Sequence, residues 1–340
     1  MLNRHFLRGK VLQELYAYYI SQDCDEKQHE KMLLDCINKL YNLQIYLLSS
    51  LLEIRDIAEN QIEDAKNKFF PTEEEKQPNT KFIHNPIFKL LEENKTLVDS
   101  IKEIHINWRE ERDLLKNIFN KFKKSDSYNT YMHKENSDFE DDKKIVYQLF
   151  KNYVIKNESL YELLCEKEIS WESDYDYVCQ VVLKYLKYLK SAEQIEQIKQ
   201  EGQEDADINE LPKPFNKIND NQIETDEQFT KNLFYNTISH SDEYEPLIKN
   251  RIEHWDRDRL AFLDVLIIKM AMSEFIYSPI IPIRVTLNEY IELSKEFSTE
   301  KSKLFVNGLL DKLVVDLRVS GKIQKIETSE DNSNQDNITE

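Results

Sequence analysis

The sequence predicts an all-α fold, a helical bundle carrying an extra inserted helical region. Apolar residues recur at three- and four-residue spacing along most of the chain, the period of one helix face. Only 4 glycines and 8 prolines punctuate 340 residues, too few for the tight turns of a many-stranded protein. Where the periodicity stops, residues that end helices stand in its place, as at Pro279 and Pro282.

Taken in order, the first helix is predicted over about residues 4–20, with Leu7, Val11, Leu15 and Tyr18 on one stripe. A polar gap, Ser21 to Asp25, precedes a long helix over about 26–70, with Leu33, Ile37, Leu40, Leu47, Leu51 and Ile54 at helix spacing. The prolines of "PTEEEKQPNT" (71–80) mark a loop. Helices follow over about 86–105, 108–124, 140–156, 158–168 and 173–190, with 124–142 read as a mobile loop. Residues 191–225 are polar and acidic, the composition of a linker. Helical patterning resumes over about 226–238, 243–253, 256–277, 286–297 and 299–318. "TLNE" (286–289) has the form of a capping box, with Thr286 and Glu289 exchanging bonds with the backbone. The organisation expected is a first core helix (1–22), a helical insertion or expanded subdomain (23–190), an acidic linker (191–225), a C-terminal helical core (226–320) and a disordered acidic tail (321–340).

Composition excludes several functions. Gly9, Gly202, Gly308 and Gly321 are isolated, so the clustered glycines of phosphate-cradling and dinucleotide loops are missing. The same shortage argues against a cofactor-binding methyltransferase domain. Cys24, Cys36, Cys165 and Cys179 form no CxxC pair and read as free thiols of a reducing cytoplasm. No HExxH stands in the sequence, so no metal or cofactor is expected. Asp264, Lys269, Glu274 and Pro279 interrupt the most apolar window, 260–283, which therefore predicts a buried helix rather than a membrane span. Gln13 and Glu14 interrupt any signal-peptide run at the start. The net charge of −18 repels nucleic acid on average and attracts basic partners, so a nucleic-acid site must be a local patch.

Three places hold unexplained chemistry. Arg4 and Arg8 stand four apart at the start of a helix. Like charges at that spacing repel and both oppose the helix dipole, which points to an external anion such as phosphate. Lys10 and His5 extend that patch. Asp264 is an acid in an apolar helix and needs a partner, either another molecule or an internal cation. Gly308 lies inside "FVNGLLDKL" (305–313), where glycine costs about 1 kcal/mol against alanine. It serves either tight helix packing or access to the polar groups beside it, Asn307 above all.

"IPIRVTLNEYIELSKEFSTEKSKLFVNGLLDKL" (281–313) resembles the C-terminal signature of the NusB family of bacterial transcription antitermination factors. Pro282, Val285, Asn288, Glu289, Phe297, Phe305, Val306, Asn307, Gly308, Leu310 and Asp311 match its pattern, and Arg4, Arg8, Leu12, Gln13, Leu15 and Tyr16 resemble its opening helix. The resemblance covers about residues 1–22 and 226–318, leaving 23–225 as an insertion. It implies an all-helical, non-catalytic, cytoplasmic RNA-binding protein. Such a protein binds the boxA element of nascent ribosomal RNA together with NusE, a small-subunit ribosomal protein, and joins an antitermination complex on RNA polymerase. The residues it assigns to RNA are Arg4, Arg8 and Lys10 and, at the start of the last helix, Lys301, Ser302, Lys303, Phe305 and Asn307. Phe305 is open to a second role as core, and Asn307 to capping a neighbouring helix. Tyr16 and Asp264 lie where family members meet NusE. The chain departs from the family at Leu304, where many relatives carry a basic residue; Lys301 and Lys303 stand beside it. The alternative is an acidic helical scaffold for protein interactions with weakened RNA binding.

Overall fold

The computed structural model describes residues 4–21, 25–191, 194–195, 226–252 and 261–323. The helices in chain order are α1 (Arg4–Ile20), α2 (Glu26–Lys66), α3 (Glu73–Lys76), α4 (Pro86–Glu93), α5 (Lys95–Glu103), α6 (Arg112–Lys123), α7 (Asp126–His133) and α8 (Phe139–Leu149). A π-helical turn, Phe150–Val154, continues α8. Then come α9 (Glu158–Lys167), α10 (Trp171–Tyr188), α11 (Asp226–Ser239), α12 (Ser241–Ile252), α13 (Phe262–Tyr277), α14 (Ile283–Phe297) and α15 (Glu300–Val319). No strand occurs among the described residues. The linker expected over 191–225, apart from residues 191, 194 and 195, lies outside them, as do Cys24, the start expected for the helix at 256, and the tail beyond 323.

The chain divides into two compact units, Met1–Ile37 with Pro214–Glu340, and Asn38–Lys213. In the first, α13 is the central helix. It is apolar on nearly every side and buries Leu266, Ile267, Ile268, Met270, Ala271, Met272 and Phe275, as a helix packed all round must. It packs against α1, α11, α12, α14 and α15. The α1 stripe, Leu7, Val11, Leu15 and Tyr18, is buried as its spacing predicts, as are Val306, Leu310 and Leu313 of α15. Burial of each such aliphatic side chain contributes about 1.5–3 kcal/mol.

The second unit sets most of α2, together with α10, among shorter helices punctuated by side-chain caps. The helix expected over 86–105 is two, because Asn94 ends α4 and caps α5: its N–H donates to the Leu91 carbonyl and its side chain accepts from the Leu97 N–H at 3.0 Å. The segment 124–142, expected as a loop, contains α7. Ser125 caps that helix, and Tyr128 and Tyr131 are buried. Tyr128 packs edge-on against Phe82, Phe119 and Phe122. An aromatic pair at three-residue spacing, capped in front, carries a helix through a polar stretch. Trp108 Nε1 donates to Ser49 Oγ at 3.0 Å and Trp171 Nε1 to the Lys39 carbonyl at 2.9 Å, so both indoles bring α2 a satisfied polar edge along with their apolar area.

Two local expectations fail. The TLNE segment is not a capping box, because α14 begins at Ile283 behind Pro282, whose fixed φ suits a helix entry. Thr286 is therefore inside the helix, and its hydroxyl donates to Glu274 Oε1 at 2.9 Å. Tight packing does not explain Gly308 either: a Cβ there meets no neighbouring atom within 4 Å, whereas one at Gly9 touches the Phe297 ring at 3.4 Å. Gly9 is the glycine set against a neighbour. Gly308→Ala is expected to stabilise the chain by about 0.5–1 kcal/mol, since the cost of helical glycine is removed and nothing clashes. Thermal unfolding should show Tm rising by about 1–3 °C.

Candidate functional site

Three helices meet at one buried carboxylate. Position 274 of α13 faces α1, and Arg8 of α1 reaches it with both arms of its fork: Nε donates to Glu274 Oε2 and Nη2 to Oε1, each at 2.8 Å. The two side chains are 2% and 0% exposed. Each Glu274 oxygen accepts a further bond from α14, from Thr286 Oγ1 at 2.9 Å and from Tyr290 Oη at 3.1 Å. Thr286 and Tyr290 are four residues apart, hence on one face of α14. The third arm of Arg8, Nη1, donates to Glu289 Oε2 at 3.1 Å. The guanidinium also lies 5.3 Å from the Phe229 ring centroid and 5.9 Å from that of Tyr290. Burial works to lower the Arg8 pKa, but hydrogen bonds and charge from Glu274 outweigh it and raise it. Burial, then the Glu274 charge, pushes the Tyr290 phenol well up, so it stays a donor.

His5 extends this network towards solvent. Its Nδ1 lies 2.8 Å from Glu289 Oε2 and its Nε2 3.3 Å from Glu296 Oε2. The hydrogen bond to Glu289 raises the His5 pKa against the opposing effect of burial. The same bond, aided by the Arg8 charge, lowers that of Glu289.

Arg8 is therefore not open to an outside phosphate. The expectation of an external anion rests on the absence of an acid nearby in sequence, and the fold supplies Glu274 from 266 residues away. Lys10 is also buried, with Nζ 5.3 Å from the Phe6 ring centroid. Arg4 remains partly exposed, its guanidinium 4.7 Å from the Phe229 ring centroid and 3.9 Å from Asp226 Oδ1. Burial raises the Asp226 pKa against the Arg4 charge.

The second group of expected residues opens α15. Lys301 is exposed, Lys303 and Phe305 half-buried, and Leu304 is 72% exposed. Phe305 is thus not a closed core residue. Ser302 is buried within the helix cap, its Oγ 2.9 Å from both Thr299 Oγ1 and Ser298 Oγ. Asn307 is half-buried and forms no side-chain hydrogen bond among the described residues, so it caps no neighbouring helix there. The two groups are neighbours. Phe297 at the end of α14 lies against Gly9, and Glu296 meets His5; one short turn later α15 begins.

Tyr16 and Asp264 lie elsewhere on the unit. Tyr16 is 43% exposed and its ring centroid stands 5.9 Å from that of Phe262, itself 45% exposed. Tyr19 packs edge-on against the same ring at 6.0 Å, and Ile20 is exposed. Asp264 is buried, with no ion pair among the described residues, and its Oδ1 has no hydrogen-bond partner there.

Sequence reading missed Glu274, Thr286 and Tyr290. The available signal was the lone glutamate inside an apolar helix, read only as an interruption of a membrane-like window.

The sequence model of the NusB family matches residues 186–314. The transcription antitermination protein NusB of Fervidobacterium nodosum is 39% identical over 99 residues, 29% of this chain and 67% of that protein. That of Finegoldia magna is 40% identical over 96 residues, 28% of this chain and 67% of that protein. That of Myxococcus xanthus is 39% identical over 90 residues, 26% of this chain and 64% of that protein. No solved structure matches the chain. The chain belongs to the NusB family. The family match begins at residue 186 and so does not include α1; the fold brings α1 to the matched helices through Arg8.

Glu274→Gln is expected to destabilise the chain by about 3–5 kcal/mol, because it leaves the buried Arg8 charge without its main partner. The urea midpoint should fall accordingly. A pH dependence follows from His5. Its folded pKa is raised, so its stabilisation is complete below the unfolded value and fades as pH climbs through the folded one. Glu289, with its pKa lowered, contributes above its unfolded value and loses that contribution in acid. The stability lost in His5→Ala should therefore be larger at pH 6 than at pH 8 in paired denaturation curves.

Proposed function

We propose that the chain is a cytoplasmic, non-catalytic transcription antitermination factor that binds boxA RNA together with NusE, supports ribosomal RNA transcription and joins the antitermination complex on RNA polymerase. The observation that supports this is that His5 of α1 meets Glu296 at the end of α14, one short turn before α15 opens with Lys301 and Lys303. In this role Lys301 and Lys303 take phosphates, Arg4 adds a third cation at the edge, and Phe305 offers a ring face to a base. Asn307 supplies free amide donors, and Gly308 leaves room for a strand to lie close to the helix. Arg8, Lys10 and Ser302 act as positioning residues, holding α1 and the start of α15 in register.

NusE docks in this proposal on the patch of Tyr16, Ile20 and Phe262. Asp264 is buried and enters this reading by the family resemblance alone. A chain of net charge −18 favours a basic ribosomal protein. A second function, an acidic scaffold with weakened RNA affinity, is favoured by the size of the second unit, Asn38–Lys213, most of which lies outside the family match.

Fluorescence anisotropy with boxA and scrambled RNA, with and without NusE, separates the two. Lys301→Ala/Lys303→Ala is expected to weaken boxA binding about tenfold or more. It should also flatten the log-affinity against log-salt slope by about 1.4, two phosphate contacts at about 0.7 each for a single strand. Tyr16→Ala should reduce the gain that NusE brings. If the wild type binds boxA no better than scrambled RNA with NusE present, the antitermination role is wrong and the scaffold stands.

A further inference from the structure

The second unit holds a cleft of about 290 Å³ where the π-helical turn meets α9 and α10. The turn widens the helix by one residue, with the Ile155 N–H donating to the Phe150 carbonyl at 3.0 Å. Such turns are frequent at functional sites. Next, the Tyr175 hydroxyl donates to the Ile155 carbonyl at 3.2 Å. That bond ties up the phenol and leaves the ring as cleft wall. Tyr161 stands edge-on to it, ring centroids 4.9 Å apart. Asn157 holds the floor by capping α9, accepting from the Leu160 N–H at 2.9 Å.

Around these rings stand three carboxylates, Glu158, Glu172 and Asp176, against one ammonium, Lys156. None of the four forms an ion pair among the described residues. Burial, then the Cys165 thiol and the charges of Glu172 and Asp176, holds the Tyr161 phenol above its usual range, as a negative field requires. No three His, Cys, Asp or Glu among the described residues converge closely enough for a metal ion. The negative charge instead surrounds the half-buried ring of Tyr161, which is backed by the buried ring of Tyr175. That pattern suits a cation with extent: charge for the carboxylates and a flat or aliphatic body for the rings.

We propose that this cleft is a binding site for an organic cation, the guanidinium or ammonium group of a basic chain. A basic segment of a partner protein and a free polyamine share that chemistry, and the test distinguishes them.

The experiment is calorimetric titration of the full chain with two probes of equal charge, N-acetyl tetra-arginine amide and spermine. Glu172→Gln/Asp176→Asn removes two exposed cleft carboxylates without touching the core. Glu162→Gln/Glu166→Gln removes the same charge from the exposed surface of α9 outside the cleft. The cleft pair is expected to weaken binding about tenfold and the control pair by less than about twofold, since only short-range charges act at full strength. Tyr161→Leu should weaken it as well, while Tyr161→Phe, which keeps the ring, should not. Tighter cleft-dependent binding of the peptide assigns the site to a protein segment; tighter binding of spermine assigns it to a polyamine. Equal weakening by both charge pairs, or no binding by the wild type, overturns the proposal.

Discussion

The Arg8–Glu274 pair is the constraint on which the first unit depends. Two full charges held at 2% and 0% exposure lose most of their hydration, and the loss is tolerable only when every donor and acceptor finds a partner. Here the requirement is met by three helices at once. The fork of Arg8 fits only if α1 lies at one depth along α13, and the remaining lone pairs of Glu274 are filled only if α14 presents Thr286 and Tyr290 together. Apolar packing alone tolerates some sliding of one helix along another; a fully satisfied buried network does not. The pair therefore sets register as much as it contributes stability.

That register has consequences at the surface. With α1 set by Arg8, Gly9 comes against Phe297 and His5 against Glu289 and Glu296. One short turn after Phe297, α15 begins. Glu274 and Glu289 face inward on Arg8 and His5, while Glu292 lies within the field of Lys303. The lysines of α15 keep their charge at the surface.

The second unit follows a different construction. Apart from α2 and α10 its helices are short, and caps at Asn94, Ser125, Asp138 and Asn157 decide where four of them begin. Its core is rich in aromatic rings packed edge-on, which accommodate several short helices meeting at varied angles better than aliphatic stripes do. The π-helical turn interrupts regular helix geometry there, and it stands at the cleft.

Much of the helix pattern was legible in the chain, because a helix writes its buried face into residues three and four apart. The stripe of α1 and the apolar surround of α13 follow from that rule, and so does the all-helical class. The family signature in the last helices was legible for the same reason that it is local. Short-range readings failed where a residue's partner is distant. Arg8 and Asn307 looked alike as polar groups without local partners, yet one is locked on Glu274 and the other stays open. Thr286 and Glu289 had the spacing of a cap but bond across to other helices. Gly308 left two readings, tight packing or access, and the fold removes the first, while Gly9 touches Phe297. The sequence by itself determined most of the helical segments and their apolar faces, α7 and the break at Asn94 excepted, since those depend on neighbours within a turn or two. Only the tertiary structure decided which charges are neutralised and which remain for a partner, because a buried charge is matched in space and its match here stands 266 residues along the chain.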